Sequence, residues 1–333
     1  MSAEFDSTHV SISDQVTAAR NGAVVYDASN WGRILVSDGD RLRFLHNQTT
    51  NTFQTRQPGE GCDTVFVTST GRTIDLATAY VLEDSVLLLV SPSRREFLMN
   101  WLDRFIFFAD KVKLADMTSE TVTLVLIGPE SDRLLETLGA GDRLGQSYGS
   151  HAVYPIAGTE VRVAVGSGLG LPGYTLIAPG AAANALQTAL QTAGATRLED
   201  AAWERLRIEQ GRPMPDHELT EDYNPLEAGL WHTISLNKGC YIGQETIARL
   251  HTYRGVKQQL WGVQFQAAAP QDAVLTSGEE KVGHLTSQVE TESGAVGLAY
   301  IRTKAIEAGV GTVQAGNVKG TLVPLPFLSH EYL

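Results

Sequence analysis

The sequence predicts an α+β protein: two related α+β units, each an antiparallel sheet with helices on one face, followed by a small all-β module. Three observations carry this. The order strand, helix, strands, helix runs twice through the first two-thirds of the chain, and Gly39-Asp40-Arg41 in one half faces Ser131-Asp132-Arg133 in the other. From Lys257 onward, short apolar strands alternate with Gly, Ser and Asp turns, the texture of a small barrel or sandwich. With 333 residues, 43% hydrophobic and 19% charged, the chain can bury the cores of two or three globular domains.

After a polar, frayed lead, Ala23 to Asp27 begins the fold. Gly32 to Val36 reads as a strand, and Asp40 to Asn47 as a helix with an acidic start and Leu42, Phe44 and Leu45 as its apolar face. Val65 to Val67 and Thr73 to Tyr80 are strands around a turn at Gly71, and Ser85 to Val90 is a buried strand. Ser93 to Phe108 has the period of a long amphipathic helix, and Lys111 to Ala115 returns as a strand. The second unit repeats the pattern. Thr121 to Ile127 is a strand, Glu130 to Leu138 a helix, Val161 to Val165 and Tyr174 to Ala178 are strands, and Ala181 to Ala193 is an alanine-rich helix stopped by Gly194.

Gly168-Leu-Gly170-Leu-Pro-Gly173 matches a dinucleotide-binding fingerprint in letters only. That motif needs its last glycine to open a helix, whereas Pro172 and the apolar run after Gly173 predict a hairpin loop. Ser235-Leu-Asn-Lys238 lacks the companion motifs of a penicilloyl-serine enzyme. Glu199 to Glu209 is a helix ending at Gly211, and Arg212 to His217 is loop. Strands are expected at 259–265, 274–275, 281–286, 294–300 and 311–313, with a domain boundary near Tyr253 to Val256.

A net charge of -12 argues against a general nucleic-acid or anionic-membrane binder. Two cysteines, Cys62 and Cys240, are the usage of a reducing compartment, and two thiols cannot supply the four that hold an ordinary iron–sulfur cluster, so no resident metal is expected. Met1 to Asp14 has neither a basic start nor an apolar core, and no apolar run approaches 18 residues. The cytoplasm and a monomer without membrane contact are the expectation.

Asn237-Lys238-Gly239-Cys240-Tyr241-Ile242-Gly243-Gln244-Glu245 concentrates the chemistry. Two glycines bracket a lone thiol, and Thr246 to His251 behind it reads as a helix. Glycine permits a tight turn and close approach of a ligand. The positive end of a helix and the Lys238 ammonium both favour thiolate, which makes Cys240 a candidate reactive cysteine. The alternative is a buried, inert thiol. Nothing around Cys62 favours a thiolate, so Cys240 is expected to be the accessible, more reactive one.

Lys238-Gly-Cys240-Tyr-Ile-Gly243-Gln244-Glu245 resembles the K-G-C-x-x-G-Q-E signature of the folate-binding YgfZ family, within the superfamily of the glycine cleavage T-protein, an aminomethyltransferase. Leu206-Arg207-Ile-Glu209-Gln-Gly211, Pro225-Leu-Glu227-Ala-Gly229-Leu, Asp27-x-Ser29-x-x-Gly32 and Phe44-Leu45…Thr50-Asn51 are similar to other superfamily segments, so the likeness spans nearly the whole chain. It implies two interlocked ferredoxin-like subdomains and a C-terminal β-barrel, ring-like around a pocket for tetrahydrofolate or another reduced folate. The expected division is 1–118, 119–197, a segment 198–255 that completes the pocket, and a barrel over 256–333. It also implies a role in iron–sulfur cluster assembly or repair, with client or assembly proteins as partners, and through them in tRNA modification.

The resemblance assigns roles. A pterin edge can give two hydrogen bonds to a buried carboxylate, for which Glu209 and Asp75 are the candidates, with Glu227 behind them. Arg249, Arg254 or Lys257 would meet the anionic glutamyl tail. Trp31, Tyr174 and Trp231 could stack on the pterin. Asn47 is expected to line the pocket, as are Gly239, Gly243 and Gln244 of the signature, and Lys238 either serves the thiol or contacts folate. The chain also departs from T-proteins. Their acidic doublet is reduced to Asp75, and their Gly-Tyr-Glu segment is Gly173-Tyr174-Thr175, without the carboxylate. An accessory factor that binds tetrahydrofolate and uses Cys240 is therefore the first reading, a folate-dependent one-carbon transferase the second, and a folate-regulated scaffold the third.

Overall fold

The structure is a computed structural model that describes residues 10–331. The first nine residues of the lead and the last two of the expected barrel range lie outside the described residues. The rest of the lead is not frayed but forms helix α1 (Ile12–Asn21), capped by Ser11, whose side chain accepts from the Asp14 N–H. Its Val16 and Ala19 are buried in the core that also holds β1 (Val24–Asp27), so the tertiary context orders a stretch that is polar on average.

The first unit runs β2 (Gly32–Ser37), α2 (Arg41–Gln48), β3 (Gly61–Val67), β4 (Thr73–Val81), β5 (Ser85–Val90), α3 (Arg95–Asp103) and β6 (Lys113–Asp116). The second runs β7 (Thr121–Ile127), α4 (Ser131–Thr137), β8 (His151–Ile156), β9 (Thr159–Val165), β10 (Gly173–Pro179), α5 (Ala183–Ala193) and β11 (Thr196–Leu198). The first sheet has the order β3-β4-β5-β2-β6, and the second β8-β9-β10-β7-β1-β11. These are the same arrangement strand for strand, except that β1 is wedged between β7 and β11. β1 pairs antiparallel with β7 and parallel with β11. A division at 118/119 therefore does not follow the sheets: β1, read as the start of the first unit, belongs to the second sheet and interlocks the two.

The predicted helix over 93–108 is shorter. α3 stops at Asp103, and the Asp110 carboxylate accepts from the Phe107 N–H at 2.9 Å, a local turn that competes with helix. β8, β11 and the last barrel strand carry no strong period-2 signal, and the sequence does not announce them. The glycine-rich segment 166–172 is the loop joining antiparallel β9 and β10.

Period-2 alternation sorts the side chains. In β5, Val86, Leu88 and Val90 face α2 and α3, while Leu87 and Leu89 face the second sheet. Helices α4 and α5 cover the outer face of the second sheet through Leu134, Leu135, Leu186 and Leu190. The two sheets thus meet in a central core, closed by α6 (Asp200–Gln210) through Trp203 and Leu206. An irregular stretch then leads to α7 (Gln244–Thr252). Strands β12 (Gln258–Phe265), β13 (Val274–Ser277), β14 (Glu280–Thr291), β15 (Gly294–Arg302), β16 (Thr312–Ala315) and β17 (Val318–Val323), with the short α8 (Thr303–Glu307), form a closed barrel rather than a sandwich, because β12 pairs with both β15 and β17. Among the described residues no helix is long and apolar enough to cross a membrane.

Candidate functional site

Where the two sheets meet, the core is not filled. A narrow cavity of about 30 Å³, room for about one water as the side chains stand, lies between β1, β4, β5, β7, β10 and α6. Its place between two sheets, with aromatic walls, is that of a small-molecule site, and a ring would enter only as those side chains part. Its apolar walls include Tyr26, Trp31, Tyr80 and Trp203. Tyr26 stacks on Trp203 with centroids 5.2 Å apart, and Trp31 meets Trp203 edge-on at 5.9 Å. β4 contributes Thr78 as well as Tyr80, and β10 contributes Thr175.

Arg212 supplies the charge. Helix α6 ends at Gly211, whose φ of +89 turns the chain back; a Cβ there would lie 2.6 Å from the Cβ of Leu325 in the segment returning from the barrel. The next residue, Arg212, is only 3% exposed and lines the cavity. Its guanidinium lies 5.0 Å from the Trp31 ring and 5.5 Å from Phe327, and Nη1 donates to the Gly168 carbonyl at 2.9 Å. Among the described residues no carboxylate stands within salt-bridge distance of it, and its Nε–H has no partner. The loop that mimics a dinucleotide motif thus serves as an acceptor for this arginine.

A polar vestibule of about 500 Å³ adjoins the cavity and shares Tyr148 with it. Cys62, Asp63, Arg56 and His232 stand in its walls. Asp63 is buried on β3, and its oxygens accept from the hydroxyls of Thr78 at 2.6 Å and Tyr148 at 2.8 Å. Burial pushes the Cys62 thiol up to about 12. It also lowers His232, on which Asp63 and Arg212 act in opposite senses.

Of the residues proposed from the sequence to bind the ligand, Trp31 alone lines the cavity. Glu209 lies elsewhere, its carboxylate held by Arg20 at 2.5 Å and Arg205 at 3.0 Å. Asp75 is fully buried on the β4 face of Ala77 and Ala79, opposite Thr78 and Tyr80, and both its oxygens accept from Ser91. Glu227 is buried at the barrel junction, where it accepts from the Asn224 N–H and faces Arg72 at 3.8 Å. Tyr174 points into the outer core and donates to Asp132; its neighbour Thr175 faces the cavity instead. Trp231 is buried in a separate cluster and donates to the Leu226 carbonyl. Arg249 and Lys257 are exposed, and neither they nor Arg254 line the cavity.

The Lys-Gly-Cys segment packs instead against α2 and the β3–β4 turn. The Lys238 ammonium donates to the carbonyls of His46, Thr49 (2.7 Å) and Asn51 (2.6 Å), so all three N–H groups are engaged by backbone rather than by Cys240 or a ligand. Burial lowers its pKa to about 7, against which the three carbonyls favour the charged form. Asn47 is exposed and holds the same segment through its carbonyl, which accepts from Ile242 N–H. Gly243, at φ +80, caps α7; a Cβ there would lie 2.7 Å from the Thr68 carbonyl oxygen and 2.9 Å from Gly71 Cα. Gln244 leans back toward the Gly239 carbonyl at 3.4 Å. Cys240 is exposed, three residues ahead of that cap and separated from it by buried Tyr241. Among the described residues no group of three or more His, Cys, Asp or Glu could hold a metal ion.

The sequence reading missed Arg212 and Asp63. A signal for Asp63 existed: it is an acid inside Gly61–Val67, a strand buried at every position. Arg212 had only its place directly after a helix-ending glycine.

Residues 1–238 match the GCVT N-terminal domain, and residues 257–327 match the CAF17 C-terminal beta-barrel domain. The chain belongs to the GCVT family. Within that folate-binding superfamily it is a CAF17/YgfZ-like member, on the strength of its barrel and of the whole-chain likeness. It is similar to an Arabidopsis thaliana protein provisionally named a chloroplastic transferase, at 45% identity over 96% of this chain and 74% of that one. It is 28% identical to an aminomethyltransferase of Rubrobacter xylanophilus, over 97% of this chain and 88% of the relative. The fold is that of the aminomethyltransferase T of the Bartonella henselae glycine cleavage system, with a TM-score of 0.81 at 19% identity over 97% of this chain and 91% of that structure. GCVT membership supports a folate-related role.

Proposed function

We propose that this GCVT-family protein binds tetrahydrofolate, or another reduced folate, in the cavity between its two sheets, and acts as an accessory factor in iron–sulfur cluster assembly or repair, and through it in tRNA modification. The observation that carries the binding reading is a cavity between the sheets with aromatic walls and a buried arginine whose Nε–H has no partner. Tyr26, Trp31 and Trp203 would hold the ring by stacking, and Arg212 would meet its polar edge. When bound, a reduced folate supplies a carrier for a one-carbon unit. This chain's own residues position the ring and shield it from water.

The iron–sulfur part rests on the signature around Cys240 and on that thiol's exposure, which leaves it open to a partner protein while Cys62 is closed off. Free thiols of both kinds suit a reducing compartment such as the cytosol. The transferase reading keeps support from the similarity to aminomethyltransferases, but Asp75, the one acid left of their doublet, faces away from the cavity and is satisfied by Ser91. Titration calorimetry with tetrahydrofolate tests the binding reading; no heat and no rise in Tm with any reduced folate would overturn it. Complementation of a deletion strain by Cys240→Ser, scored on iron–sulfur enzyme activity, tests the second part. Full complementation would leave a folate-regulated scaffold, and turnover of a one-carbon donor with folate alone would restore the transferase.

A further inference from the structure

Among the described residues three arginines are buried, and they differ in one respect. Arg33 gives all five N–H groups to protein oxygens: Nε to Thr121 Oγ1, Nη1 to the Ser29 and Trp31 carbonyls, and Nη2 to the Thr118 and Thr121 carbonyls. Arg207 is likewise saturated by Glu204, Glu218, Ser287 and the Arg212 carbonyl. Of these three only Arg212 keeps a buried Nε–H without a partner; the half-buried Arg41 and Arg143 do so too, but Arg212 is the one that lines the cavity. A buried guanidinium left short of acceptors is destabilising, so the arrangement is explained if a ligand oxygen completes it.

The hydroxyls across the cavity have the opposite polarity. Thr78 and Tyr148 both donate to Asp63, Thr175 donates to the Gly166 carbonyl, and Ser167 donates to the Leu171 carbonyl. A hydroxyl that has committed its one proton offers only lone pairs to whatever enters. Thr78 and Tyr148 therefore present acceptors to the cavity, and Arg212 presents N–H donors.

We propose that Arg212, and Asp63 acting through Thr78 and Tyr148, decide what the cavity takes: a ring edge carrying one accepting oxygen beside N–H donors. Arg212 reads the oxygen. Asp63 is a positioning residue that holds two hydroxyls in their accepting state. This deepens the folate reading and rests on it, because the 4-oxo, N3–H, 2-amino edge of a tetrahydropterin has that polarity. No carboxylate in the chain is then required to grip the pterin directly, which accounts for the threonine where the T-protein pattern has an acid.

The test compares three ligands that share one tail: tetrahydrofolate, its 4-amino analogue, and its analogue with 2-methyl in place of 2-amino. The 4-amino group turns the acceptor into a donor facing a guanidinium, and the wild-type protein is expected to bind that analogue about tenfold or more weakly. Arg212→Gln should shrink this 4-oxo preference to within about threefold while leaving the 2-amino preference in place; Asp63→Asn should do the reverse. General loosening of the fold would lower all three affinities together and move neither ratio. If the wild-type protein binds no reduced folate, both the folate reading and this one fall. If it binds tetrahydrofolate but discriminates by less than about threefold at both positions, or if a folded Arg212→Gln keeps the full 4-oxo preference, only this inference falls. Should Arg212→Gln not fold, the wild-type ratios decide alone.

Discussion

Asp75→Asn sets two physical effects against each other. The carboxylate is fully buried on β4; Oδ2 accepts from the Ser91 N–H at 2.9 Å and Oδ1 from its hydroxyl at 2.6 Å. Burial raises its pKa from 3.8 to about 6, opposed by those two hydrogen bonds and by the charges of Arg212 and Arg94. Between these values the folded chain holds a proton that the unfolded chain has released. The stability this group contributes is therefore fully present below pH 3.8 and is lost as pH rises through about 6. A shift of about two units corresponds to about 3 kcal/mol. Asparagine reproduces the protonated form: its oxygen accepts from the Ser91 N–H and its amide donates to the Ser91 hydroxyl. The variant is expected to match wild type at pH 4 and to exceed it by about 2–3 kcal/mol at pH 8. Urea unfolding followed by tryptophan fluorescence reports on this sheet, because Trp101 packs edge-on against Phe66, the cross-strand partner of Asp75. A variant less stable than wild type at pH 8 would refute the reasoning, since the Ser91 hydrogen bonds would then outweigh burial. Reduced-folate affinity should stay within a few-fold; a tenfold loss would put Asp75 back among the ligand-binding groups.

Glu218→Gln should cost about 3–5 kcal/mol in the same unfolding assay, because the fully buried carboxylate accepts from Arg207, the Met214 N–H, Thr286 and Ser287, and an amide has one accepting oxygen for the four. The loop it anchors carries Arg212, so ligand affinity should fall as well. Gly243→Ala is expected to lose about 1–3 kcal/mol and to speed hydrogen exchange in α7, since a left-handed φ is combined with a Cβ 2.7 Å from a carbonyl oxygen. In the native protein iodoacetamide should label Cys240 at least tenfold faster than Cys62, whose thiolate is suppressed by burial; equal rates would show that β3 opens readily.

Local pattern determined a great deal. The continuous apolar run in Ser85–Val90, the 3.6-residue period in Ala183–Ala193 and the glycines at 194 and 211 are signals that neighbouring residues carry by themselves. Because the same local program is written twice, the internal repeat was legible, and the strand-and-turn texture after Lys257 marked the β module before its closure was known. The lone thiol between glycines was equally plain, and Cys240 is exposed as a free cysteine should be if it is to react.

The tertiary structure decided which side chains meet. Insertion of β1 between β7 and β11 depends on pairing across about a hundred residues or more, and no window of sequence contains it. Lys238 sits two residues from Cys240 in sequence, yet its ammonium is claimed by three carbonyls near residues 46–51, because a buried charge goes where acceptors are densest rather than to its nearest neighbour in the chain. Glu209 and Asp75 are acids at promising places in the sequence, but one is neutralised by Arg20 and Arg205 and the other turns to the opposite face of its strand. Arg212 and Asp63 drew no attention as letters. They become the polar groups of the cavity only when a glycine turn after α6 and the β3–β4 pair bring them to its two sides, because unsatisfied hydrogen-bonding capacity is a property of packed neighbours and not of residue type.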